Sequence, residues 1–530
     1  MLTAEPDPTV PKKVLENYHS RSQRAHLAAL RQLQQLQQAK LGRPARDTDV
    51  VVRVSRDAHV PQLAWLCVVS RSGYDFTLGS GVERGPRSIF EGVWDGDFAA
   101  HQFHRSQYVY GSGAVWNKYV IFVPPKHCWE YLYILTDRVS GKTFVSNSFN
   151  YAFAAAGVDT GDAFFEAVAD TLFPSTNTAS TLGIDLYNPA VCETERYALK
   201  RMMFYNFIVD PEGGVTLLSG VDPEAPYTTY AEYRAFLVGK IRDIRLNATD
   251  PGRSRPFPPI TPVSRGYDSP CVAVLARDAG CNDAVTMELV VKGKLDSGTD
   301  IARKLGLNVH VASHMLGDEV PALAVAFEGD RRDAVLEFIA TAGIGDDVGF
   351  LGFEEALRGR AFLIGAMGDS VWRRNSSLPP GLPVRVAYGK SITEFRLRTG
   401  FAFVPVPSIG ARFPSRVKRM TRTGEMAPYT LWAPYDRPFP RRVVEEAGIA
   451  RGEFGSSKSA ASPTPKNRSA LFRPAVEAMM RRYGRADGDA GPTSDEARLA
   501  ALERETRLVK TMLADVLREV ADLRAAIGKE

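Results

Sequence analysis

Between Val50 and Val158 the apolar positions fall in short runs, "LAWLCVVS", "KYVIFVPP" and "EYLYILTD", divided by Gly, Pro and Asp. Short aromatic and β-branched runs with turn residues between them predict antiparallel strands. "TDRVSGKTFVSNS" predicts a hairpin with Ser140-Gly141 at its tip. The spacing then lengthens. Ala163–Phe173, Glu193–Phe204 ("ETERYALKRMMF") and Thr228–Asn247, which carries Phe236, Leu237 and Ile241, predict helices. At the chain start, Leu27, Leu30, Leu33 and Leu36 at three-residue steps predict one amphipathic helix from Pro11 to Leu41.

"NATDPGRSRPFPPITP", Asn247–Pro262, holds five prolines and a glycine and predicts an interdomain linker, with Pro262 interrupting the strand that leads out of it. Beyond it the pattern alternates. "SPCVAVLARDAG", "DSGTDIARKLG" and "RRDAVLEFIATAG" predict helices; "AVTMELVV", "ALAVAF" and "RAFLIGAMGD" predict strands. Such alternation implies β-α-β units and a mainly parallel sheet, whose ligands bind beyond the carboxyl ends of the strands. A second linker, "GRADGDAGPTSDE", precedes a heptad pattern. There Leu499, Thr506, Leu513, Val520 and Ile527 share one position, and Leu502, Val509, Val516 and Leu523 another. This predicts a coiled-coil helix, and a homo-oligomer joined through 499–527.

The expected organisation is an N-terminal helix (1–48), an antiparallel α+β domain (49–250), a parallel-sheet α/β domain (251–475), and a linker with a coiled-coil helix (476–530). With 530 residues the chain exceeds one core, and 44% hydrophobic with 24% charged residues is ordinary globular usage. A net charge of +5 over that length is too dilute to mark a nucleic-acid binder and is compatible with an anionic small substrate. Five scattered cysteines without C-x-x-C spacing argue against a disulfide framework and a zinc site, and fit a reducing cytoplasm. The N-terminal sequence lacks a signal-peptide apolar core, and no run of about 18 apolar residues predicts a membrane span.

The chemistry concentrates in "SRGYDSP", Ser264–Pro270. Ser269 is a suitable N-cap and Pro270 suits a first helical turn, so the loop opens a helix that Gly280 ends. A helix start offers unpaired N–H groups and partial positive charge, which an anion needs. Gly266 permits positive φ and close approach, Ser264 and Ser269 supply hydroxyl donors, and Asp268 is placed to hold a magnesium ion against phosphates. The G-x-x-x-x-G-K-[ST] loop of kinases and GTPases is absent from the sequence.

"SRGYDSP" resembles the PP-loop of the ATP pyrophosphatases, written SGGxDS, and the wider arrangement resembles the synthetase domain of asparagine synthetase-like proteins. "LIGAMGDSVW", Leu363–Trp372, is similar to that family's second pyrophosphate and magnesium segment. "RPFPRRVVEEAGIARGEFGSSKSA" is similar to its C-terminal basic stretch. The resemblance spans about Pro259–Ala460. It implies ATP and Mg²⁺, with Ser264, Gly266, Tyr267, Ser269, Gly365 and Gly368 around the phosphates. Asp268 and Asp369 would hold the metal, and Asp268, Lys458 and Arg265 would be the catalytic residues. Its implied reaction is adenylation of a carboxylate with release of pyrophosphate, then amide formation with an amine. Arg265 stands where the family has its first glycine and brings a side chain to a position expected to need positive φ. The antiparallel segment from Val50 to about Gly220 resembles a degenerate counterpart of the glutaminase domain of glutamine-dependent relatives; residue 2 is Leu2 and the first cysteine is Cys67, so glutamine is not the expected nitrogen source. Two other functions share these features: a nucleotide-binding or scaffold subunit acting through its coiled coil, and an enzyme adenylating RNA or a nucleobase.

The remaining candidates have ordinary explanations. His310 and His314 are four apart, but Val309, Val311 and the absence of a neighbouring Glu favour a strand or loop over a zinc-binding helix, and His127-Cys128 reads as a strand edge. The basic clusters "RVKRMTR" (Arg416–Arg422) and "RRYGR" (Arg481–Arg485) read as solvated surface, with a polyanionic partner as the alternative. Glu394, Arg396 and Glu425 lie where a substrate amine or carboxylate would be held.

Overall fold

A computed structural model describes residues 50–172, 189–218, 227–291, 294–312, 330–341, 347–374, 392–412, 414–433, 435–455 and 468–484. The predicted N-terminal helix, the strand "ALAVAF", His314, Lys458 and the coiled coil at 499–527 lie outside the described residues.

The alternation in Trp65–Ser70 decides where the first half of the chain folds. Trp65, Cys67 and Val69 point into one core and Leu66 into another, because successive strand side chains face opposite ways. That strand lies inside a seven-stranded sheet ordered Val52–Arg56, Gly73–Leu78, Trp65–Ser70, Lys142–Ser146, Leu132–Asp137, Tyr197–Met202, Ala190–Glu193. Its pairs are antiparallel except the first, where Val52–Arg56 runs parallel to Gly73–Leu78. The second sheet has six strands, ordered Val215–Leu217, Phe207–Val209, Val120–Val123, Val109–Trp116, Ser88–Trp94, Glu83–Gly85. Trp65, Phe76, Ile134 and Val145 from the first sheet and Ile89, Phe122 and Phe207 from the second share one buried cluster, so the two sheets pack face to face. The predicted hairpin is present, with Gly141 at φ +67° in its turn.

The outer face of the seven-stranded sheet is also buried. Leu66, Tyr133, Leu135 and Phe144 join a larger core with Phe149 and Phe153 of helix α1 (Phe149–Ala156), Phe164 and Phe165 of α2 (Ala163–Leu172), and Phe472 of a long C-terminal helix (Arg468–Tyr483). One prediction fails here. Glu193–Phe204 is not a helix: Tyr197–Met202 pairs with Leu132–Asp137. Its Glu, Lys, Arg and Met favour helix, but Tyr197 and Leu199 recur at period two, and burial of that face overrides intrinsic propensity.

Helix α3 (Tyr230–Ala248) begins with a capping box in which Thr229 and Glu232 bond each other's backbone N–H. The proline-rich connection after it is not a free linker. Arg253 is buried, donating from Nε to Asn247 O at 2.6 Å and from Nη2 to Gly92 O at 3.0 Å, with its guanidinium 4.4 Å from the Phe98 ring centre. Ser254 Oγ donates to Glu83 at 2.6 Å. Pro262 does not interrupt the next strand but ends it, paired with Val285.

The second half builds a five-stranded sheet in which every pair is parallel: β1 (Pro259–Pro262), β2 (Asp283–Met287), β3 (Asn308–Ala312), β4 (Ala361–Ile364) and β5 (Ala402–Pro405), in spatial order β3-β2-β1-β4-β5. The chain winds one way from β1 to β3 and the other way from β4 to β5. The reversal therefore falls between β1 and β4, where open α/β sheets form their binding crevice. His310 lies on β3, as its neighbours predicted. Among the described residues, no helix is long and apolar enough to cross a membrane.

Candidate functional site at the β1 and β4 ends

Strand β1 delivers Ser264–Tyr267 to helix α4 (Asp268–Asp278), and β4 delivers Gly365–Met367 to a single helical turn, Gly368–Val371. The two segments meet. A Cβ on Gly365 would stand 2.7 Å from the carbonyl carbon of Asp268, and one on Gly368 would stand 2.9 Å from the Asp268 Cβ and overlap its carboxylate. Only glycine at both positions lets the second loop lie against the helix start. Met367 between them holds φ +72°, a left-handed backbone that costs a non-glycine residue about 1 kcal/mol.

The loop differs in detail from its sequence reading. Helix α4 begins at Asp268, with Tyr267 in the cap position and no side-chain cap. Ser269 is therefore not the N-cap; its Oγ accepts from Ser264 N at 3.1 Å and lies 2.7 Å from Ser264 Oγ. Gly266 is not in the positive-φ region, and its N–H donates to Ser264 Oγ at 3.2 Å. Arg265 does not have positive φ either, so it carries no such strain. Its carbonyl accepts from Gly455 N at 2.8 Å, and its exposed side chain lies near Glu453.

Tyr267 is fully buried, 4.9 Å from the Tyr435 ring, and its hydroxyl has no hydrogen-bond partner. Asp268 makes the decisive contact: Oδ2 accepts from Arg437 Nη1, while Oδ1 is buried with no donor. Arg437 caps helix α5 (Pro438–Glu446), whose Pro438 suits the first turn, and Arg441 lies one turn on. Both arginines are buried, at 3% and 1% exposure. Arg437 Nε and Arg441 Nε and Nη2 have no acceptor. Burial pushes Arg437 down to about 10, and the Arg441 guanidinium is also lowered by burial while standing 4.9 Å from the Tyr267 ring centre. An uncapped helix start beside two buried, under-partnered guanidinium groups has the donor chemistry that an anion needs.

The sequence reading missed these two arginines. Both lie in the stretch quoted above for its basic character, as an arginine pair four apart at a proline-marked helix start. It also placed Glu394 and Arg396 at a substrate. Helix α6 (Thr393–Thr399) instead turns both into the junction with the sandwich. Glu394 accepts from Ser148 Oγ (2.5 Å), Asn150 Nδ2 (2.9 Å) and Tyr483 OH (2.7 Å). Arg396 pairs with Glu91 and Glu130. Glu425 pairs with Arg442 at 2.9 Å. His127 and Cys128 are buried rather than at a strand edge. Arg416–Met420 lies on a short helix (Pro414–Met420) packed near Gly368–Val371, with Lys418 pushed down to about 8 by burial and by Arg422.

Among the described residues, no group of three or more His, Cys, Asp and Glu side chains stands together to hold a metal ion. The chain matches no family model and no curated protein.

Proposed function

We propose that the chain is an ATP-dependent ligase of the asparagine synthetase-like kind, which adenylates a carboxylate with release of pyrophosphate and joins it to an amine. The observation carrying this reading is the meeting of Ser264–Ser269 with Gly365–Asp369 at the carboxyl ends of β1 and β4, where strand order reverses. The site fits the phosphate chain of a nucleotide, because the α4 start and the guanidinium groups of Arg437 and Arg441 present donors lacking acceptors. When bound, ATP supplies the phosphoanhydride whose cleavage drives activation. The α4 N–H groups and the Ser264 and Ser269 hydroxyls hold the departing pyrophosphate in line, and the two arginines offset its growing charge. Lys458, outside the described residues, is assigned to the same leaving group by the resemblance alone.

Magnesium on Asp268 and Asp369 is likewise implied by the resemblance. As they stand the described residues do not fit it: one Asp268 oxygen is taken by Arg437 and the other is closed off against the Gly368 turn. No step is therefore assigned to a metal. The nitrogen source in this reading is a free or substrate-borne amine. Cys67, Cys271 and Cys281 are buried, with thiols pushed up by burial, which is the state of inert cysteines.

The test is ATP-dependent pyrophosphate release against a panel of amino acids and dicarboxylates with ammonium. The Ser264→Ala, Ser269→Ala double variant should lose about 100- to 1,000-fold in rate, the scale of removing preorganised donors. Equal rates would remove the loop from the reaction. The closed Asp268–Arg437 pair favours a second reading, a nucleotide-binding subunit without turnover. ATP binding with no pyrophosphate release across the panel would establish it.

A further inference from the structure

We infer that the polyphosphate at the α4 start is held by Arg437 and Arg441 in place of a divalent cation on Asp268, so that the site takes its ligand without metal. This rests on the nucleotide-binding reading above and names the form in which the ligand binds.

Asp268 and Arg437 form an ion pair in which the arginine side chain is 4% exposed. A cation arriving on Asp268 would have to displace that guanidinium from Oδ2 or open the Gly368 turn that covers Oδ1, and either way it would set a new positive charge beside a buried one, which is strongly unfavourable. A phosphate does the reverse. It brings acceptors to three buried donors that have none: Arg437 Nε, Arg441 Nε and Arg441 Nη2.

On Arg441 the two free nitrogens form the side-on edge of the guanidinium, the edge that grips a phosphate with two parallel bonds. The other end of that guanidinium is only loosely engaged, with Nη1 3.6 Å from Glu445, whose closer partner is Arg451 at 2.7 Å. Arg437 has the complementary arrangement: Nη1 on Asp268 and Nε unused. Both groups border the same helix start, since Arg437 touches the first residue of α4 and Arg441 stands over the ring of Tyr267, which precedes it. Helix α5 packs along α4 and fixes the pair there.

The donors are shut off from solvent in the free protein. Phosphate gains them by displacing Asp268 from Arg437, so Asp268 is a placeholder for the ligand's charge and competes with it. A metal-ligand role and a placeholder role for Asp268 predict opposite effects of removing its charge.

The experiment is calorimetric titration of the full chain with inorganic pyrophosphate and with ATP, in excess EDTA and then in magnesium. Binding in EDTA should be within about threefold of that in magnesium. Arg437→Met and Arg441→Met should each weaken it about 10- to 100-fold, the worth of a charge-assisted hydrogen bond in a buried site. Asp268→Asn should bind pyrophosphate at least as tightly as the native chain. Binding that appears only with magnesium and vanishes in Asp268→Asn would overturn the inference and leave the nucleotide reading intact. Absence of binding under both conditions would overturn both. The EDTA comparison on the native chain decides the matter even where a variant does not fold.

Discussion

Arg396 of α6 reaches Glu91 of the six-stranded sheet, Nη1 to Oε2 at 2.7 Å, with both side chains at or below 2% exposure. Its Nε also donates to Glu130. Ser112 Oγ donates to Glu91 at 2.9 Å and in turn accepts from Trp65 Nε1 at 3.1 Å, so the arginine is tied into the centre of the sandwich. Truncating it leaves two carboxylates buried without their counter-charge. Arg396→Met should lose about 3–5 kcal/mol of stability, the usual cost of breaking a buried pair from one side. Urea denaturation measures this, and a loss below about 1 kcal/mol would show that the carboxylates find other partners.

The same cluster predicts a pH dependence. Burial, opposed by Arg396, pushes Glu130 up to about 7 from 4.5. A raised carboxyl contributes stability that is fully present below 4.5 and is lost as pH rises through 7. His127 runs the other way. Burial and the Arg396 charge push it down to about 3 from 6.5, so its contribution is present above 6.5 and is lost as pH falls towards 3. Urea midpoints of the native chain and of Glu130→Gln at pH 5 and pH 8 isolate the first effect. The native chain should lose more stability over that interval than the variant; parallel losses would place the titration elsewhere.

Gly368→Ala tests the meeting of the two loops. The added methyl meets Asp268 Cβ as well as its carboxylate, so the second loop must move away from the α4 start; the variant should keep its far-ultraviolet circular dichroism while its pyrophosphate affinity falls at least about tenfold, or 1.4 kcal/mol. Unchanged affinity would mean that the Gly365–Gly368 turn does not shape the site.

Gly455→Ala tests the closure behind Tyr267. Gly455 holds φ +66°, a Cβ there would enter the Tyr267 ring, and its N–H bonds Arg265 O. Strain and overlap together should remove more than about 1 kcal/mol of stability and lower the melting temperature. An unaltered melting temperature would show that Tyr267 gives way freely.

Much of the architecture was written in local patterns. The alternation of apolar runs predicted antiparallel strands, and the Ser140-Gly141 turn predicted a hairpin; both are present. The β-α alternation after Asn247 predicted a mainly parallel sheet; the five-stranded sheet there is all parallel, and beside it Leu289–Val291 and Lys294–Asp296 form an antiparallel pair. Tyr197–Met202 was misread because helix-favouring side chains occupied a position whose fate depended on a strand some sixty residues earlier. The proline count in Asn247–Pro262 was real but its meaning was not visible. Nothing local announces that Arg253 inserts between Asn247 and Phe98.

For the site, local reading located both loops but not what faces them. Ser264–Ser269 and Gly365–Asp369 are nearly a hundred residues apart, and their contact follows from β1 and β4 being neighbours. Arg437 and Arg441 come from a third segment, and their burial cannot be read from a sequence in which arginine ordinarily signals surface. Glu394 and Arg396 show the converse: charged residues in the segment expected to hold a substrate amine or carboxylate suggested chemistry, and tertiary packing made them fastenings.

That fastening bears on how the polypeptide can be cut. Helix α6 belongs by sequence to the parallel-sheet half, yet Glu394 reaches Ser148 and Asn150, Arg396 reaches Glu91 and Glu130, and Gln62 of the sandwich donates to Arg398 O at 2.6 Å. Severing the backbone near Gly252 would strand ionised groups in apolar surroundings on both fragments. Each piece expressed by itself should therefore be insoluble, and co-expression should rescue the two together.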